Sequence, residues 1–300
     1  AAYAQRFMLE AHPCHAKKGQ VRALDTVRFS ITSHRGCYGE CNFCAIAMHQ
    51  GRRVVSRSEE AIVEEVRRIV RHPAFRGIIQ DVGGPTANMY GYECERKLKR
   101  GACADRRCLF PSVCPSLAPD HGPQLALLKK IRHLPGVRKV FIASGIRPDL
   151  IAADARCGAR YVDELVAHHV SGQIKLAPEH SEPHVLEAMG KPGTESLLAF
   201  KQLFDEANLR HGLKQYLTYY LIAAHPGCTD EDMRRLCRFA QKHLKLAPEQ
   251  VQIFTPTPST WSTAMYYTGR DPSTGNPIHV TRGLRARQAQ KEMLTPIPQR

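Results

Sequence analysis

The chain has no uninterrupted apolar run near the ~18 residues a membrane-spanning helix requires, which argues against a helical span. Its start, Ala1-Ala2-Tyr3-Ala4-Gln5-Arg6, has no basic segment leading into an apolar core, so no export signal is read there. The first residue is not Met, and the expectation is a piece of a longer, cytoplasmic chain. No internal repeat or low-complexity tract occurs. Acid is the scarce charge: 28 Asp and Glu face 43 Lys and Arg, a formal net of +15 over 300 residues. That balance favours anionic partners, nucleic acid among them, unless it is a solvated basic surface or is offset by an acidic domain elsewhere. A hydrophobic fraction of 43% with 24% charged residues excludes a disordered tail or a collagen-like fibre.

Cysteine, by contrast, is plentiful. Eleven is an odd number, and with no export signal a disulfide framework is not expected. The cysteines cluster: Cys37, Cys41 and Cys44 form one group, and Cys94, Cys103, Cys108 and Cys114 a second. Cys14, Cys157, Cys228 and Cys237 are scattered and read as packing residues.

Strand-like runs at Val27–Ser33, Ile78–Val82, Lys139–Ala143, Gln173–Leu176, Tyr216–Ala223 and Gln250–Phe254 alternate with helical patterns. Ser56 with Glu59 suggests a capping box ahead of Ile62, Val66, Ile69 and Val70, and Thr229 with Asp232 another ahead of Met233, Leu236 and Phe239. Helices are also predicted over Gln124–His133, Tyr161–His169, Glu195–Arg210 and Leu284–Met293. Strands alternating with helices imply parallel βαβ units, in a barrel or an open sheet. Gly83–Pro123 lacks periodicity and is long for a structureless loop. It holds the second cysteine group, and a bound metal is the simplest agent to order it.

Three thiolates spaced as in Cys37-Tyr38-Gly39-Glu40-Cys41-Asn42-Phe43-Cys44 can hold three corners of an iron–sulfur cubane and leave one iron open. A zinc site completed by His34 or His49, or three inert thiols, are the other readings. The C-x-x-x-C-x-x-C pattern, with an aromatic before its last Cys, resembles the radical S-adenosylmethionine (SAM) superfamily. The blocks Ser33–Cys37, Met48–Arg52, Ser56–Glu59, Gly83–Tyr90, Ile142–Arg147, Ala177–His180 and Met265–Gly269 resemble its YgiQ-like members, over about residues 20–294.

The resemblance implies a partial (β/α)6 TIM-like barrel over 25–294, with a cysteine-rich insertion at about 87–121 after the second strand. Residues 1–24 are then an extension or the remnant of an upstream domain, and 295–300 a tail. It implies an oxygen-sensitive enzyme in which a [4Fe–4S] cluster on Cys37, Cys41 and Cys44 cleaves SAM reductively. The resulting 5′-deoxyadenosyl radical abstracts hydrogen from an unidentified substrate. It further implies SAM contacts from Phe43, Gly83, Gly84, Thr86, Ser144, Arg147, Glu179 and His180, with Ala223–Pro226 beside the adenine. Pro85 stands where the superfamily usually has Glu. An electron donor such as flavodoxin or ferredoxin would serve it. No catalytic acid or base is identified.

The second cysteine group, with His121 as a spare ligand, is expected to hold an auxiliary iron–sulfur cluster or zinc, the alternative being unligated thiols. Leu186, Met189, Lys191 and Pro192 resemble a methylthiotransferase segment, so an RNA- or protein-modifying enzyme is a second reading. A non-catalytic iron–sulfur or zinc protein that binds nucleic acid is a third. Against the third, no basic stretch along the sequence is interleaved with aromatics as in single-strand binders.

Overall fold

The computed structural model describes residues 3, 5, 7–15, 17–245 and 250–294, with the side chain of residue 250 excepted. In chain order the elements are α1 (Arg22–Val27), β1 (Ser30–Thr32), β2 (His34–Arg35), α2 (Ile46–Gln50), β3 (Val55–Ser56), α3 (Glu59–Val70), β4 (Ile78–Ile79) and β5 (Asp81–Gly83). Then come α4 (Glu95–Arg100), α5 (Gly122–Arg132), β6 (Lys139–Val140), α6 (Pro148–Ala153), α7 (Gly158–Glu164) and β7 (Gln173–Glu179). The chain ends with α8 (Pro183–Met189), α9 (Glu195–His211), β8 (Tyr216–Ala223), α10 (Asp230–Phe239), β9 (Gln250–Ile253), α11 (Trp261–Thr268) and α12 (Leu284–Glu292). No helix among the described residues is long and apolar enough to cross a membrane.

The predicted strands pair in sequence order and in parallel. β1 pairs with β5, with Ile31 opposite Val82, and β4 pairs with β6. Gln80 N–H donates to the Phe29 carbonyl and Phe141 N–H to that of Ile79, so β4 and β5 act as one strand between β1 and β6. An Ile146–Leu176 bridge passes to β7, and β7, β8 and β9 follow in order. Parallel neighbours need a crossover between them, and the helices supply it.

Where α3 packs, Ile62, Val66 and Ile69 meet the strand residues Ile31, Ile79 and Val82; α5 adds Leu127, Leu128 and Ile131, and α9 adds Phe200 and Phe204. A second core joins β8 and β9 to α8 and α10 through Leu221, Val251, Val185, Met233 and Leu236.

Several boundaries differ from the sequence reading. Residues of the predicted first strand before Ser30 belong partly to α1. α3 is capped by Ser58, whose hydroxyl accepts from Ala61 N–H, whereas Ser56 sits in β3 opposite His34. The Thr229–Asp232 capping box is present, with both reciprocal bonds made. The predicted Tyr161–His169 helix starts at Gly158 and turns into a π-helical segment from Leu165. The segment between β5 and α5 is not structureless: it carries α4 and packs Met89, Leu109 and Leu117 against Tyr38, Val54 and Leu150 in a third small core. α4 escapes detection because its six residues are mostly charged and show no apolar period.

Candidate active site

The site begins where β1 ends. Gly36 turns the chain at φ +92, and a Cβ there would lie 2.1 Å from the Arg53 carbonyl oxygen, so only glycine fits. Cys37 N–H donates to Gly51 O at 3.2 Å, and Cys44 N–H to Cys41 O at 3.0 Å, which folds the cysteine segment into a tight loop. Asn42 clamps that loop to α8: its N–H donates to Met189 O at 2.8 Å and its side-chain amide to Ala188 O at 2.9 Å.

Donors reach two of the sulfurs. Gly39 N–H lies 3.3 Å from Cys37 Sγ, Thr86 stands near Cys37, and Arg147 Nη1 approaches Cys41 Sγ at 3.8 Å. A Cβ on Gly39 would stand 3.3 Å from Cys37 Sγ and 3.5 Å from Cys41 Sγ, so this glycine lets the backbone lie against two sulfurs. All three thiols are free. Burial pushes the Cys37 thiol up and the Cys44 thiol to about 11, so as free groups they keep their protons at neutral pH.

Arg147 is buried, and its Nε donates to Asp149 Oδ1 at 2.9 Å and its Nη2 to Oδ2 at 2.5 Å, a bidentate pair. Burial raises the Asp149 carboxyl, but Arg147 outweighs it and the net shift is down. Asn88 fixes the Arg147 backbone, accepting its N–H at 2.9 Å and donating to its carbonyl at 3.0 Å. Glu179 sits at φ 68, a left-handed conformation unusual for a side-chain-bearing residue, next to a bulge in β7. Burial raises its carboxyl, and Lys191 Nζ lies 3.8 Å away. Cys37, Cys41, Cys44, Thr86, Arg147 and Glu179 thus come from four separate segments of the chain and gather in one region, with Arg147 in contact with Cys41.

Other sequence-identified residues are committed elsewhere. Ser144 gives its hydroxyl to Asp81 Oδ2, and its N–H donates to Asp81 Oδ1 at 3.1 Å. The space beside Gly83 and Gly84 is filled by protein: a Cβ at Gly83 would meet Ser144 Oγ at 2.7 Å, and one at Gly84 would meet His34 Nε2 at 2.6 Å. His180 is buried, accepts Glu182 N–H at Nδ1 and turns Nε2 toward Cys228 Sγ at 3.5 Å. Phe43 packs against the second core, its ring 6.1 Å from that of His225. Within Ala223–Pro226, His225 is buried, donates from Nδ1 to Pro226 O at 2.7 Å and accepts the Ser262 hydroxyl at Nε2 at 2.6 Å.

The sequence reading missed Asp149, Asn88, Asp81 and Ser262. Asp149 carried a signal in its two-residue spacing from Arg147; the others act across long sequence separations.

In the second cysteine group, Cys94 and Cys108 are buried in the third core, and Cys114 N–H donates to Cys108 O at 2.8 Å. The buried Lys97 donates to the Arg52 carbonyl at 2.5 Å and stands near Cys108. His121 stands apart from these cysteines: Nδ1 pairs with Asp154 Oδ2 at 2.8 Å and Nε2 with the Asn88 amide at 3.1 Å. Among the described residues, the single set of three potential ligands with donor atoms within 4.8 Å of one another is Asp120, Asp154 and Cys157. A tetrahedral ion with metal–sulfur bonds of ~2.3 Å holds its sulfurs about 3.8 Å apart. Neither cysteine group is drawn together for one such ion.

The superfamily profile described as the Radical SAM superfamily matches residues 31–240, and a Domain of unknown function (DUF3362) matches residues 249–295. A UPF0313 protein of Fusobacterium nucleatum is 56% identical over 293 residues, covering 98% of this chain and 52% of its own length. One from Methanosarcina mazei is 47% identical, covering 95% of this chain and 44% of its own length. The chain therefore spans about half the length of the curated relatives it matches. Among solved structures, the radical S-adenosylmethionine methyltransferase TsrM of Kitasatospora setae, bound to cobalamin and a [4Fe-4S] cluster, superposes with TM-score 0.50 at 15% identity. That match covers 88% of this chain and 46% of TsrM, and it is a likeness of fold. With the profile covering most of the chain, the protein belongs to the radical SAM superfamily, and within it to the YgiQ-like (UPF0313) family.

Proposed function

We propose that this chain is the core of a radical SAM enzyme, with Cys37, Cys41 and Cys44 as the ligands of a [4Fe–4S] cluster. The observation that carries the reading is that polar donors reach two of the three free thiols, Gly39 N–H at Cys37 and the Arg147 guanidinium at Cys41. These groups suit a thiolate set carrying negative charge, and a loop without a Cβ at Gly39 leaves room against two of the sulfurs. The finer fold we infer is a partial (β/α)6 barrel over residues 25–294, with about 87–121 as a cysteine-rich insertion, because the six strands run parallel in sequence order. Reactive groups then gather at the C-terminal strand ends, the face used by barrel enzymes.

When bound, the cluster supplies the electron that cleaves SAM into methionine and a 5′-deoxyadenosyl radical. The residues of this chain do the positioning. Arg147 offsets thiolate charge, and Asp149 fixes the guanidinium plane so that Nη1 stays on Cys41. Arg147 lies beside Cys41 and Thr86 near Cys37, so these are the side chains placed to meet SAM, while Ser144 and His34 fill the space beside Gly83 and Gly84. Glu179 lies near enough to Cys44 for its charge to be felt there, and burial raises its carboxyl, so it is the candidate to hold a proton during turnover. Ser144 and His180 are supports, since their polar atoms are already bonded. In the second group an auxiliary iron–sulfur cluster suits the spread of sulfurs better than one zinc ion. An electron donor of the flavodoxin or ferredoxin type would serve the cluster.

The test is anaerobic reconstitution with iron and sulfide, followed by iron quantification and EPR of the dithionite-reduced chain. The reading expects a [4Fe–4S] signal that SAM alters and that Cys41→Ala abolishes. An iron content and signal unchanged in Cys41→Ala would overturn it.

A further inference from the structure

His121 stands apart from the cysteines, yet it and Asn88 are fully buried, and Asp154 nearly so. Buried polar groups that are all paired fix one geometry, so the question is what this geometry serves. The hydrogen bonds run in one line from Asp154 to Cys41. Asp154 Oδ2 accepts the His121 backbone N–H at 2.8 Å and pairs with Nδ1 at 2.8 Å. Its Oδ1 accepts the N–H groups of Arg156 at 3.1 Å and Cys157 at 2.9 Å, which anchors the carboxylate just ahead of α7. The Tyr161 ring packs against the imidazole with 4.5 Å between centroids. On the far side of the ring, Nε2 meets Asn88 Nδ2 at 3.1 Å. Asn88 Nδ2 also donates to Arg147 O at 3.0 Å, and Oδ1 accepts the Arg147 N–H at 2.9 Å. Arg147 then brings Nη1 to 3.8 Å from Cys41 Sγ.

One proton assignment satisfies the whole line. The Arg147 N–H can only donate, so the Asn88 atom that meets it is the oxygen, and the other is the amide nitrogen. One amide hydrogen goes to Arg147 O and the second to His121, so Nε2 accepts. The imidazole is then neutral, with its proton on Nδ1 and given to Asp154. A turned Asn88 amide would set N–H against N–H and oxygen against oxygen at Arg147. Asn88 therefore grips both backbone groups of Arg147 in one orientation, and His121 accepts the amide hydrogen left over.

We propose that His121, oriented by Asp154, is a positioning residue that acts through Asn88 to hold the Arg147 guanidinium at Cys41. The inference rests on the radical SAM reading and adds how this chain sets the reduction potential of that site. Charge and hydrogen bonds at cluster sulfurs tune the potential, and a nearby cation favours the reduced, more negative state. If the guanidinium draws back by about 1 Å from its 3.8 Å contact, the reduction equilibrium weakens about fivefold at an effective dielectric constant of about 20. For a one-electron couple that is about 40 mV, at about 59 mV per tenfold. Because His121 is neutral, replacing it removes no charge, and a shift reports the movement of Arg147.

The experiment is an EPR-monitored redox titration of the anaerobically reconstituted chain, with iron content measured on every preparation. The native chain is compared with His121→Leu, His121→Gln, Asn88→Ala and the double variant His121→Leu/Asn88→Ala. Leucine has no acceptor for Asn88, whereas glutamine offers an oxygen. His121→Leu and Asn88→Ala should each move the potential about 40 mV more negative. His121→Gln should restore most of the native value. The double variant should move no further than Asn88→Ala alone, since His121 acts through Asn88. A native potential in cluster-replete His121→Leu, or a double shift equal to the sum of the two single shifts, would overturn the proposal. A second arm reads the imidazole itself: nitrogen-15 NMR of the metal-free native chain, with His121→Gln identifying the signal. A proton on Nδ1 is expected, and one on Nε2 would overturn the proposal. A chain that takes up no cluster refutes the radical SAM reading alone, and the NMR arm still decides how His121 and Asn88 are oriented.

Discussion

Acidification should destabilise this fold at a pH where most proteins are still comfortable. His34, His180 and His225 are all fully buried near the C-terminal ends of strands. Each ring is already hydrogen-bonded: His34 Nδ1 pairs with the Ser33 hydroxyl, His180 Nδ1 accepts the Glu182 N–H, and His225 Nε2 accepts the Ser262 hydroxyl. Protonation would place a charge in the core and, at His180, break the bond from the Glu182 N–H. Burial accordingly pulls His34 and His225 down to about 4 and His180 to about 3, against an ordinary value of 6.5. The folded values lie below the unfolded one, so the stabilisation is complete above pH 6.5 and is lost as pH falls toward 4. Between about pH 7.5 and about pH 5.5 each ring removes about 1.3 kcal/mol, and the three together about 4 kcal/mol. For a chain of this size that lowers the melting temperature by about 6 °C. Differential scanning fluorimetry in matched ionic strength reads this directly. Two further tests sharpen it: net uptake of close to three protons on unfolding at the lower pH, and a shallower pH slope in His225→Gln. A melting temperature unchanged between the two pH values would refute the reasoning.

Further outcomes follow from single contacts. Ser262→Ala leaves His225 Nε2 without its donor in a buried site, and a loss of about 1–3 kcal/mol is expected in denaturant titration. Asp149→Asn leaves the Arg147 guanidinium with no counter-charge in its buried pair; about 3–5 kcal/mol should be lost on the same assay. Gly39→Ala sets a methyl 3.3 Å from Cys37 Sγ, so iron bound per chain after reconstitution should fall while the melting temperature of the metal-free chain holds. Gly84→Ala drives a methyl to 2.6 Å from His34 Nε2, and a loss of about 1–3 kcal/mol is expected whether or not iron is present.

The parts of the molecule governed by local rules were legible in the sequence. α3, α9 and α10 show their apolar period, α10 also shows its capping box, and all the parallel strands stand where alternating runs placed them. Boundaries drifted where two local signals competed, as with Ser56 and Ser58, since either serine can precede a helix and the strand pairing of Ser56 to His34 decides between them. The three cysteines of the first group stand out in the sequence because their spacing lies within one loop. What surrounds them was not. Asp81 holds Ser144 from 63 positions away, and Asn88 holds Arg147 from 59, so neither leaves a spacing to read. His121 looked like a spare ligand by proximity in sequence to the second cysteine group; the fold instead turns it to Asp154, which also accepts the Cys157 N–H at 2.9 Å just ahead of α7. Glycines 83 and 84 were flagged for good reason, but the neighbours that demand them are protein side chains.

The central claim concerns what the three thiols of the first group support. The direct measurement is 5′-deoxyadenosine released from SAM by the anaerobically reconstituted chain with dithionite, quantified by liquid chromatography beside Cys41→Ala. The account predicts product from the native chain and none from the variant. A chain with a verified, intact cluster that releases no 5′-deoxyadenosine, or a Cys41→Ala variant that releases as much as the native chain, would contradict it.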